Sequence, residues 1–339
     1  MGTLTGRFSD LGVAGRDGAL FAVEQALQHR AAGDPDIVLT PFDDGGSSLR
    51  LAELVPAIEA AGVQVLIGPM TSSVANVWVP LANENNLLTL SPTVTSPRFT
   101  GIDDAFFTVT SSTEVYARHN ATFCVNTLGW KRFALLVERA NVAYTDPWSQ
   151  TFVRTVKALG GQVAGQWRIS SGDVTGLDRL LALAREAQPQ AIVLVASAAD
   201  VAYCAQALRR GGHRIPLVSA EWAGSQEVRT LGGASVNGLV FSQFYNPLDT
   251  SPRYLGFQAA FLNRFGRNPG FAEVAAFDAT QVAMAVLRQR LPEETPKAAL
   301  LRLKSFEGLQ HPIVFSATGD TQRPVHMVGI ADGALRLLS

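Results

Sequence analysis

The sequence is poor in the residue types that build metal, disulfide or polyanion-binding sites. Its 339 residues include two cysteines and five histidines, and the formal net charge is −1. Scattered histidines without a Cys-x-x-Cys pair give no sign of a metal site. A charge near zero gives no broad electrostatic reason to bind nucleic acid or an anionic membrane. We therefore expect no bound metal and no nucleic-acid partner.

Long apolar runs and a targeting signal are lacking as well. The longest apolar run, at 191–199, is far short of the ~18 residues typical of a membrane-spanning helix. Residues 1–6 have neither the basic region nor the apolar core of a secretory signal. The residues alone predict no direct membrane insertion and indicate no compartment. Cys124 and Cys204 fall among apolar neighbours in predicted helices, so buried free thiols are expected and a disulfide between them is not indicated.

Catalytic motifs are missing too. No Gly-x-Gly-x-x-Gly follows a first strand, so no dinucleotide is indicated, and no Gly-x-Ser-x-Gly elbow occurs. The strongest pocket candidates include one carboxylate and no histidine, which leaves no matched acid–base pair. We expect a protein that is not an enzyme and that carries no cofactor.

The chain does contain a regular alternation of strand and helix patterns, and its length favours two domains. Strands are predicted at 36–41, 63–67, 87–91, 132–137, 162–167, 190–195, 216–219 and 238–242, and helices at 18–28, 49–61, 72–84, 113–128, 147–159, 175–187 and 198–210. This alternation predicts parallel βαβ units, and hence an α/β fold of doubly wound parallel sheets. Beyond residue 242, helices at 254–265, 271–288 and 295–303 precede short strands at 313–315, 325–330 and 335–338. An Asp-Gly hairpin turn is predicted at 331–333.

Two hydroxyl-rich turns are the most informative feature of the chain. Gly68–Ser73 follows the apolar strand 63–67, and Ser91–Ser96 follows the strand 87–91. Ligands of open parallel sheets collect beyond the carboxyl ends of the strands, so these turns would offer hydroxyls and N–H groups to a small anionic group. No His, Cys or Lys stands beside them to activate a hydroxyl. This combination predicts a binding pocket rather than an active site.

Other short motifs follow in a recognisable order. They are Leu4-Thr5-Gly6, Phe42-Asp43-Asp44, the two turns, Tyr144, Ser219-Ala220-Glu221 and Phe315–Val328. Together they resemble the type I periplasmic substrate-binding proteins of the branched-chain amino acid (leucine/isoleucine/valine-binding) class, over nearly the whole chain. Each motif alone is weak, and the six in order make the resemblance specific.

The resemblance implies two doubly wound lobes joined by three hinge crossovers, with the ligand in the cleft between them. Lobe one would comprise 1–111 and 244–317, and lobe two, which closes on the ligand, 112–243 and 318–339. The family also implies a monomer in the periplasm or at the cell surface that delivers a small molecule to an ABC permease of the branched-chain amino acid type. The alternative is a cytosolic regulator of the same fold that senses a small amide or amino acid.

The start of the sequence departs from the family pattern. The family has a short strand before the Leu4-Thr5-Gly6 loop, whereas this sequence begins at the loop. Either upstream residues lie outside this sequence, or lobe one lacks a central strand. A missing central strand would leave buried backbone groups unpaired, at about 1–3 kcal/mol each. We therefore expect the first alternative.

In lobe one, the expected ligand-binding residues are Ser72, Ser73, Thr93, Thr95 and Leu11. Ser72 and the N–H groups that begin the helix 72–84 suit a carboxylate, because a helix N-terminus favours an anion. Helix capping is the alternative, and both hold if Thr71 is the cap. The resemblance assigns a backbone group at Thr93 and the hydroxyl of Thr95 to the ligand, with local turn chemistry as the alternative. Leu11 stands where the family's opening loop often has an aromatic residue.

In lobe two, the expected ligand-binding residues are Tyr144, Glu221 and Trp222. Glu221 follows the strand 216–219, where a carboxylate would bind an ammonium through a charge-assisted bond worth about 1.5–3 kcal/mol. The alternative is a first-turn acid stabilised by the helix dipole. Tyr144 would either close over the ligand or face solvent on a loop, and Trp222 would either fill the pocket or pack in the core. We expect an amino-bearing ligand, and these residues do not specify its side chain.

Overall fold

The computed structural model describes residues 1–6, 8–30, 36–172 and 174–339. In chain order, the α-helices are α1 Ser9–Gln28, α2 Ser48–Ala60, α3 Ser72–Glu84, α4 Thr113–Thr122, α5 Val142–Ala158, α6 Val174–Glu186, α7 Ala198–Arg210, α8 Gln226–Gly232, α9 Pro252–Phe265, α10 Phe271–Gln289 and α11 Pro296–Leu303. The strands are β1 Leu66–Ile67, β2 Thr89–Ser91, β3 Phe106–Thr108, β4 Arg132–Glu138, β5 Gln162–Ile169, β6 Ala191–Val195, β7 Leu217–Ser219, β8 Val240–Gln243, β9 Ser305–Phe306, β10 Ile313–Val314, β11 His326–Ala331 and β12 Ala334–Leu337. The α/β class with parallel sheets is confirmed.

The described residues divide into two compact units. Unit 1 contains Met1–Ser111 and Asp249–Arg323, and unit 2 contains Ser112–Leu248 and Pro324–Ser339. Both later boundaries fall a few residues beyond the positions expected from the sequence, 243/244 and 317/318. For the boundary after Arg323, hydrogen bonds within unit 1 give the reason. The Thr321 hydroxyl donates to the Thr108 carbonyl at 3.1 Å, and the Arg323 N–H donates to the Ser111 hydroxyl at 2.7 Å.

Unit 2 is built on a sheet with strand order β12-β11-β8-β7-β6-β4-β5. The strands from β8 to β5 pair in parallel, whereas β11 is antiparallel to both β8 and β12. All five residues of β6 are buried, as expected for a parallel strand that is covered on both faces. The predicted hairpin is present, because Asp332 and Gly333 both adopt positive φ between β11 and β12.

Unit 1 contains the parallel sheet β1-β2-β3 and the antiparallel pair β9-β10. Helices α1 and α10 pack together, and Phe21 of α1 contacts a cluster of aromatic rings in α9 and α10. The rings around it are Phe257, Phe261, Phe265 and Phe277. The strand β3 had not been predicted, since its three residues are too few to show a periodic pattern.

The predicted strand 36–41 is wrong, and the predicted strand 63–67 is only partly correct. Residues 36–41 form no sheet ladder, and β1 is limited to Leu66–Ile67. Both segments line one slot in unit 1. Because a strand is defined by pairing, strand-like residues without a partner beside them stay outside the sheet.

Helix α5 begins earlier than predicted. Its first residue is Val142 rather than residue 147, so Tyr144 lies in the first helical turn and not on a loop. Pro147, the first residue of the predicted helix 147–159, lies inside α5. The earlier start places Tyr144 and Trp148 one turn apart on the same face.

A buried ion pair ties together distant parts of unit 1. The Arg323 guanidinium contacts the Asp278 carboxylate at 2.9 Å, and both side chains are 1% exposed. Arg323 also donates to the Val109 carbonyl at 3.2 Å, and the Leu309 N–H donates to Asp278 at 2.8 Å. Burial raises the pKa of Asp278, and the charge of Arg323 opposes that rise.

Candidate functional site

In unit 1, the two hydroxyl-rich turns are joined by their own side chains. The Ser91 hydroxyl donates to the Pro69 carbonyl at 2.8 Å, and the Thr93 hydroxyl donates to the Met70 carbonyl at 2.6 Å. The turns therefore lie side by side beyond β1 and β2, as the sequence predicted. The Thr93 hydroxyl is committed to this contact, which leaves its backbone as the group available to a ligand.

Ser72 and Thr95 present the hydroxyls that remain. The Ser72 Oγ and Thr95 Oγ1 atoms are buried and have no hydrogen-bond partner among the described residues. Helix α3 begins at Ser72, and Ser73 follows at its second position, partly buried. Thr71 occupies the N-cap position but makes no side-chain capping bond. The helix start therefore retains N–H groups that no capping side chain satisfies, and these suit an anion.

Leu11 and the acidic turn 42–44 both belong to the local structure of unit 1. Leu11 is buried within the first turn of α1 rather than placed on the opening loop. The opening loop is held by Asp43, which accepts from the Leu4 N–H at 2.8 Å and from the Thr5 hydroxyl at 2.6 Å. Burial acts against ionisation of Asp43, but these bonds and one from the Gly45 N–H outweigh it and lower its pKa to about 2.

In unit 2, Glu221 is the centre of a buried polar cluster. It begins a short 3-10 turn directly after β7, at the carboxyl end of the sheet. The Trp148 indole N–H donates to Glu221 Oε2 at 2.9 Å, and the Thr113 hydroxyl donates to Oε1 at 3.3 Å. In the described part of unit 2, no Lys or Arg forms a salt bridge with this carboxylate. A buried carboxylate held only by neutral donors lacks a counter-charge.

The electrostatics of Glu221 follow from this environment. Burial raises the pKa of the carboxyl from its ordinary 4.5 to about 7, although the neutral donors act in the opposite direction. A positive group placed beside it would restore the charged form, since an opposite charge within a few ångströms favours ionisation. The cluster is therefore suited to a cationic ligand group.

Tyr144 and Trp222 form the aromatic wall of this cluster. Their rings meet edge to face, with centroids 5.7 Å apart. The Tyr144 hydroxyl makes no hydrogen bond of regular geometry within the described residues, yet burial and the nearby Glu221 raise the pKa of the phenol well above its ordinary value. Tyr144, Glu221 and Trp222, which the sequence singled out separately, are thus brought together.

Trp148 and Thr113 were missed by the sequence reasoning. Trp148 is fully buried and stacks on Phe152, and Thr113 begins α4. The spacing Tyr144–Trp148 is a helical i, i+4 pair, which would have indicated Trp148 if the helix had been predicted to start at Val142. Thr113 gave no comparable signal.

No group of three or more His, Cys, Asp or Glu side chains that could hold a metal ion occurs in the described parts of the chain. Cys124 and Cys204 are buried free thiols, and burial raises the pKa of each to about 12. No described helix is both long and apolar enough to cross a membrane.

Two units built on parallel sheets, each with buried polar side chains beyond the ends of its strands, are the architecture of a ligand-binding protein. The chain belongs to the periplasmic binding protein family, whose model matches residues 1–334. No curated protein sequence matches the chain.

Solved structures show the same fold. A leucine binding protein from Thermotoga maritima is 22% identical with a TM-score of 0.89, covering 100% of this chain and 96% of that one. A branched-chain amino acid transporter substrate binding protein from Streptococcus pneumoniae, in complex with isoleucine, is 18% identical with a TM-score of 0.90, covering 99% and 97%. A solute binding protein of an ABC transporter from R. palustris, in complex with benzoate, is 20% identical with a TM-score of 0.86, covering 100% and 94%. The predicted type I periplasmic binding protein fold is confirmed.

Proposed function

We propose that this protein is the solute-binding component of an ABC importer and that its ligand is a free amino acid. The observation that carries the proposal is the buried Glu221, which among the described residues has neutral donors and no counter-cation. An ammonium would neutralise this carboxylate, whereas a ligand without a positive group would leave it buried and uncompensated. The ligand is therefore an amino acid or a close amino-bearing relative.

The carboxylate end of the ligand is assigned to unit 1. Its partners are the Ser72 hydroxyl, the first N–H groups of α3, the backbone at Thr93 and the hydroxyl of Thr95. This assignment is supported by the two buried hydroxyls that lack a hydrogen-bond partner in the described parts of the chain, because buried polar atoms are normally hydrogen-bonded. Tyr144 and Trp222 would cover the ammonium with ring edges and faces. Leu11, buried in α1, is given no direct ligand contact.

The transport role is supported by the family and by its similar structures. The relatives from T. maritima and S. pneumoniae are named for leucine and branched-chain amino acids. By analogy, this chain would act as a monomer in the periplasm or at the cell surface and would deliver its ligand to a permease of the branched-chain amino acid type. The benzoate complex of the R. palustris relative makes an aromatic acid the competing ligand class.

A thermal-shift screen tests the ligand class. The protein is heated with each of the standard amino acids, with 4-methylpentanoate, which is leucine without its amine, with leucinamide, and with benzoate. A ligand that binds only the folded protein at about 100 times its Kd stabilises it by about 2.7 kcal/mol, which raises the midpoint by several degrees. We expect at least one amino acid to give such a shift and its deaminated analogue to give none.

The matched compounds separate the possible outcomes. Equal shifts with leucine and 4-methylpentanoate would refute the role of Glu221 as an ammonium partner. A shift with benzoate alone would replace the amino acid by an aromatic acid while keeping the binding role.

Removing the Ser72 hydroxyl is expected to weaken the binding of that amino acid only modestly. The Ser72→Ala variant loses one neutral hydrogen bond and keeps the N–H groups of α3, so affinity should fall roughly two- to fivefold. The ligand-free midpoint should not fall, because Ser72 Oγ has no partner among the described residues. Isothermal titration and thermal unfolding measure the two quantities.

Thr93→Ala is the matched control. In the wild type, the Thr93 hydroxyl donates to the Met70 carbonyl at 2.6 Å, so its removal should lower the ligand-free midpoint. A fall in the Ser72→Ala midpoint with unchanged affinity would show that Ser72 is structural.

A further inference from the structure

Glu221 lies on a short turn whose backbone is held by a side chain of the neighbouring strand. The Gly224 N–H donates to the Glu221 carbonyl at 2.9 Å and closes the 3-10 turn Glu221–Ala223. The same carbonyl accepts a second bond, at 3.0 Å, from the side-chain amide nitrogen Nε2 of Gln243. Gln243 ends β8 and is 1% exposed. A buried side chain therefore anchors the backbone of the residue proposed to bind the ammonium.

The register of the sheet places Gln243 level with Glu221. The strands β7 and β8 pair in parallel as far as Ser219 and Phe241. Two residues further on, the chain after β7 has turned away into the 3-10 turn, whereas β8 continues to Gln243, which pairs with His326 of β11. The Gln243 amide thus donates at the point where the ladder between β7 and β8 has ended, and β11 fixes the backbone that carries it.

Gly224 leaves room for this amide. A Cβ on Gly224 would lie 1.6 Å from Gln243 Nε2 and 3.0 Å from the ring of Phe241. Gly224 has a φ of −77°, which any residue adopts, so the lack of a side chain there is a matter of space and not of backbone conformation. Glycine at this position therefore allows the Gln243 amide to reach the turn.

The hydrogen bonding of Gln243 indicates a positioning role rather than a gain in stability. Its amide oxygen Oε1 is buried and has no hydrogen-bond partner among the described residues. A buried amide with one end unsatisfied costs free energy relative to an apolar side chain of similar length, such as that of methionine. What the amide provides is a single donor directed at the Glu221 carbonyl.

The place of the turn decides what the carboxylate meets. Thr113 donates to Glu221 Oε1 at 3.3 Å and Trp148 donates to Oε2 at 2.9 Å, and both donors come from helices outside the turn. Binding groups keep their geometry to about 0.5 Å only where supporting hydrogen bonds fix the element that carries them. A turn that shifts would therefore move the carboxylate away from these donors.

We infer that Gln243 is a positioning residue for the ligand ammonium: its bond to the Glu221 carbonyl holds the carboxylate where Trp148 donates to it and where an ammonium pairs with it. The hold on the carboxylate is a property of the ligand-free protein, whereas the pairing with an ammonium rests on the proposed function. Loss of the Gln243 amide weakens binding without removing any group that contacts the ligand.

Two variants and a matched control separate positioning from stability. Gln243→Met removes the amide at similar side-chain length, and Gly224→Ala displaces it with a methyl group. The control is Ser242→Ala, which removes a buried bond of the same strand, because Asn120 Nδ2 donates to Ser242 Oγ at 2.8 Å. Ser242→Ala should lower the unfolding midpoint, since it leaves a buried amide without its acceptor.

The indole N–H of Trp148 reports the position of Glu221 without any ligand. Its NMR resonance, assigned with a Trp148→Phe variant, should move with pH in the wild type, with a midpoint of about 7, as Glu221 loses its proton. Tyr144 also faces Glu221, but burial and Glu221 raise its pKa well above the ordinary value, so it stays protonated from pH 5 to 9.

Both variants at Gln243 and Gly224 should change this signal. We expect the pH response of the Trp148 resonance to fall by about half or more, and hydrogen exchange of the indole N–H at pH 7 to speed up roughly tenfold. In isothermal titrations with L-leucine, Kd should rise roughly fivefold or more. Ser242→Ala should leave all three quantities at their wild-type values.

Unchanged indole response and exchange in Gln243→Met and Gly224→Ala would overturn the inference, whatever the leucine affinity. Equal changes in Ser242→Ala would overturn it too, because they would show that β8 loosens as a whole. The proposed function fails on a different result. Leucine binding that survives Glu221→Gln would refute the ammonium pairing, while the indole measurements would still decide whether Gln243 holds the carboxylate.

Discussion

Replacing Glu221 by Gln is expected to weaken amino acid binding at least tenfold. The variant keeps the shape of the side chain and an oxygen for the Trp148 indole, but it loses the charge that pairs with the ligand ammonium. A charge-assisted hydrogen bond is worth about 1.5–3 kcal/mol, and each 1.4 kcal/mol is about tenfold in Kd. Isothermal titration with the amino acid that shifts the wild-type midpoint measures the loss, and unchanged affinity would remove the argument for an amine-bearing ligand.

The pH dependence of binding provides the internal control. Because the pKa of ligand-free Glu221 is about 7, the protein holds a proton there below neutral pH, and an ammonium must displace it. Wild-type affinity should therefore fall as the pH drops below 7, by up to about tenfold per pH unit, with release of a proton. Above pH 7 the affinity should level off.

The Glu221→Gln variant should bind with the same affinity across this range, since it has no proton to lose. Titrations in two buffers of different ionisation enthalpy would count the released proton. The stability of the ligand-free protein is expected to follow the opposite trend. A carboxyl with a raised pKa in the fold contributes stability below its ordinary pKa of 4.5, and that contribution disappears as the pH rises through about 7. A wild-type Kd that is flat from pH 5 to 8 would contradict the ammonium pairing.

Replacing Arg323 by Met is expected to cause the largest loss of stability. It leaves the Asp278 carboxylate, 1% exposed, without its cation. Breaking one side of a buried pair costs about 3–5 kcal/mol, which corresponds to a midpoint roughly 10 °C lower. Urea unfolding of the ligand-free protein measures the free energy of unfolding.

The double variant Asp278→Asn with Arg323→Met separates charge from packing. It removes both charges and keeps an oxygen to accept from the Leu309 N–H, so it should be more stable than Arg323→Met alone. If the Arg323→Met variant loses less than about 1 kcal/mol of unfolding free energy, the Asp278–Arg323 pair contributes no more than an exposed surface pair does.

The sequence alone was sufficient for the turns of the candidate site. Ser72 at the start of α3, Thr95 in the second turn and Glu221 after β7 are positions that follow from where strands end. Local pattern decides those ends, because apolar strands are followed by turn residues and hydroxyls. The partners of Glu221 are different. Trp148 and Thr113 come from two other helices, and no spacing in the chain connects them with residue 221.

Errors occurred where pairing or context overrides local preference. Residues 36–41 have the composition of a strand but lack a neighbour, so composition alone did not make them one. The predicted helix 147–159 left a loop position open for Tyr144, whereas α5 begins at Val142 and contains Pro147.

The sequence by itself determined the α/β class, the family and the positions of the hydroxyl-rich turns, since these depend on the order of strands, helices and turn residues. Only the tertiary structure decided the state of the key groups. Burial raises the pKa of Glu221, and the hydroxyls of Ser72 and Thr95 are buried without a hydrogen-bond partner among the described residues. These properties depend on what surrounds an atom in space, and distant segments supply those surroundings.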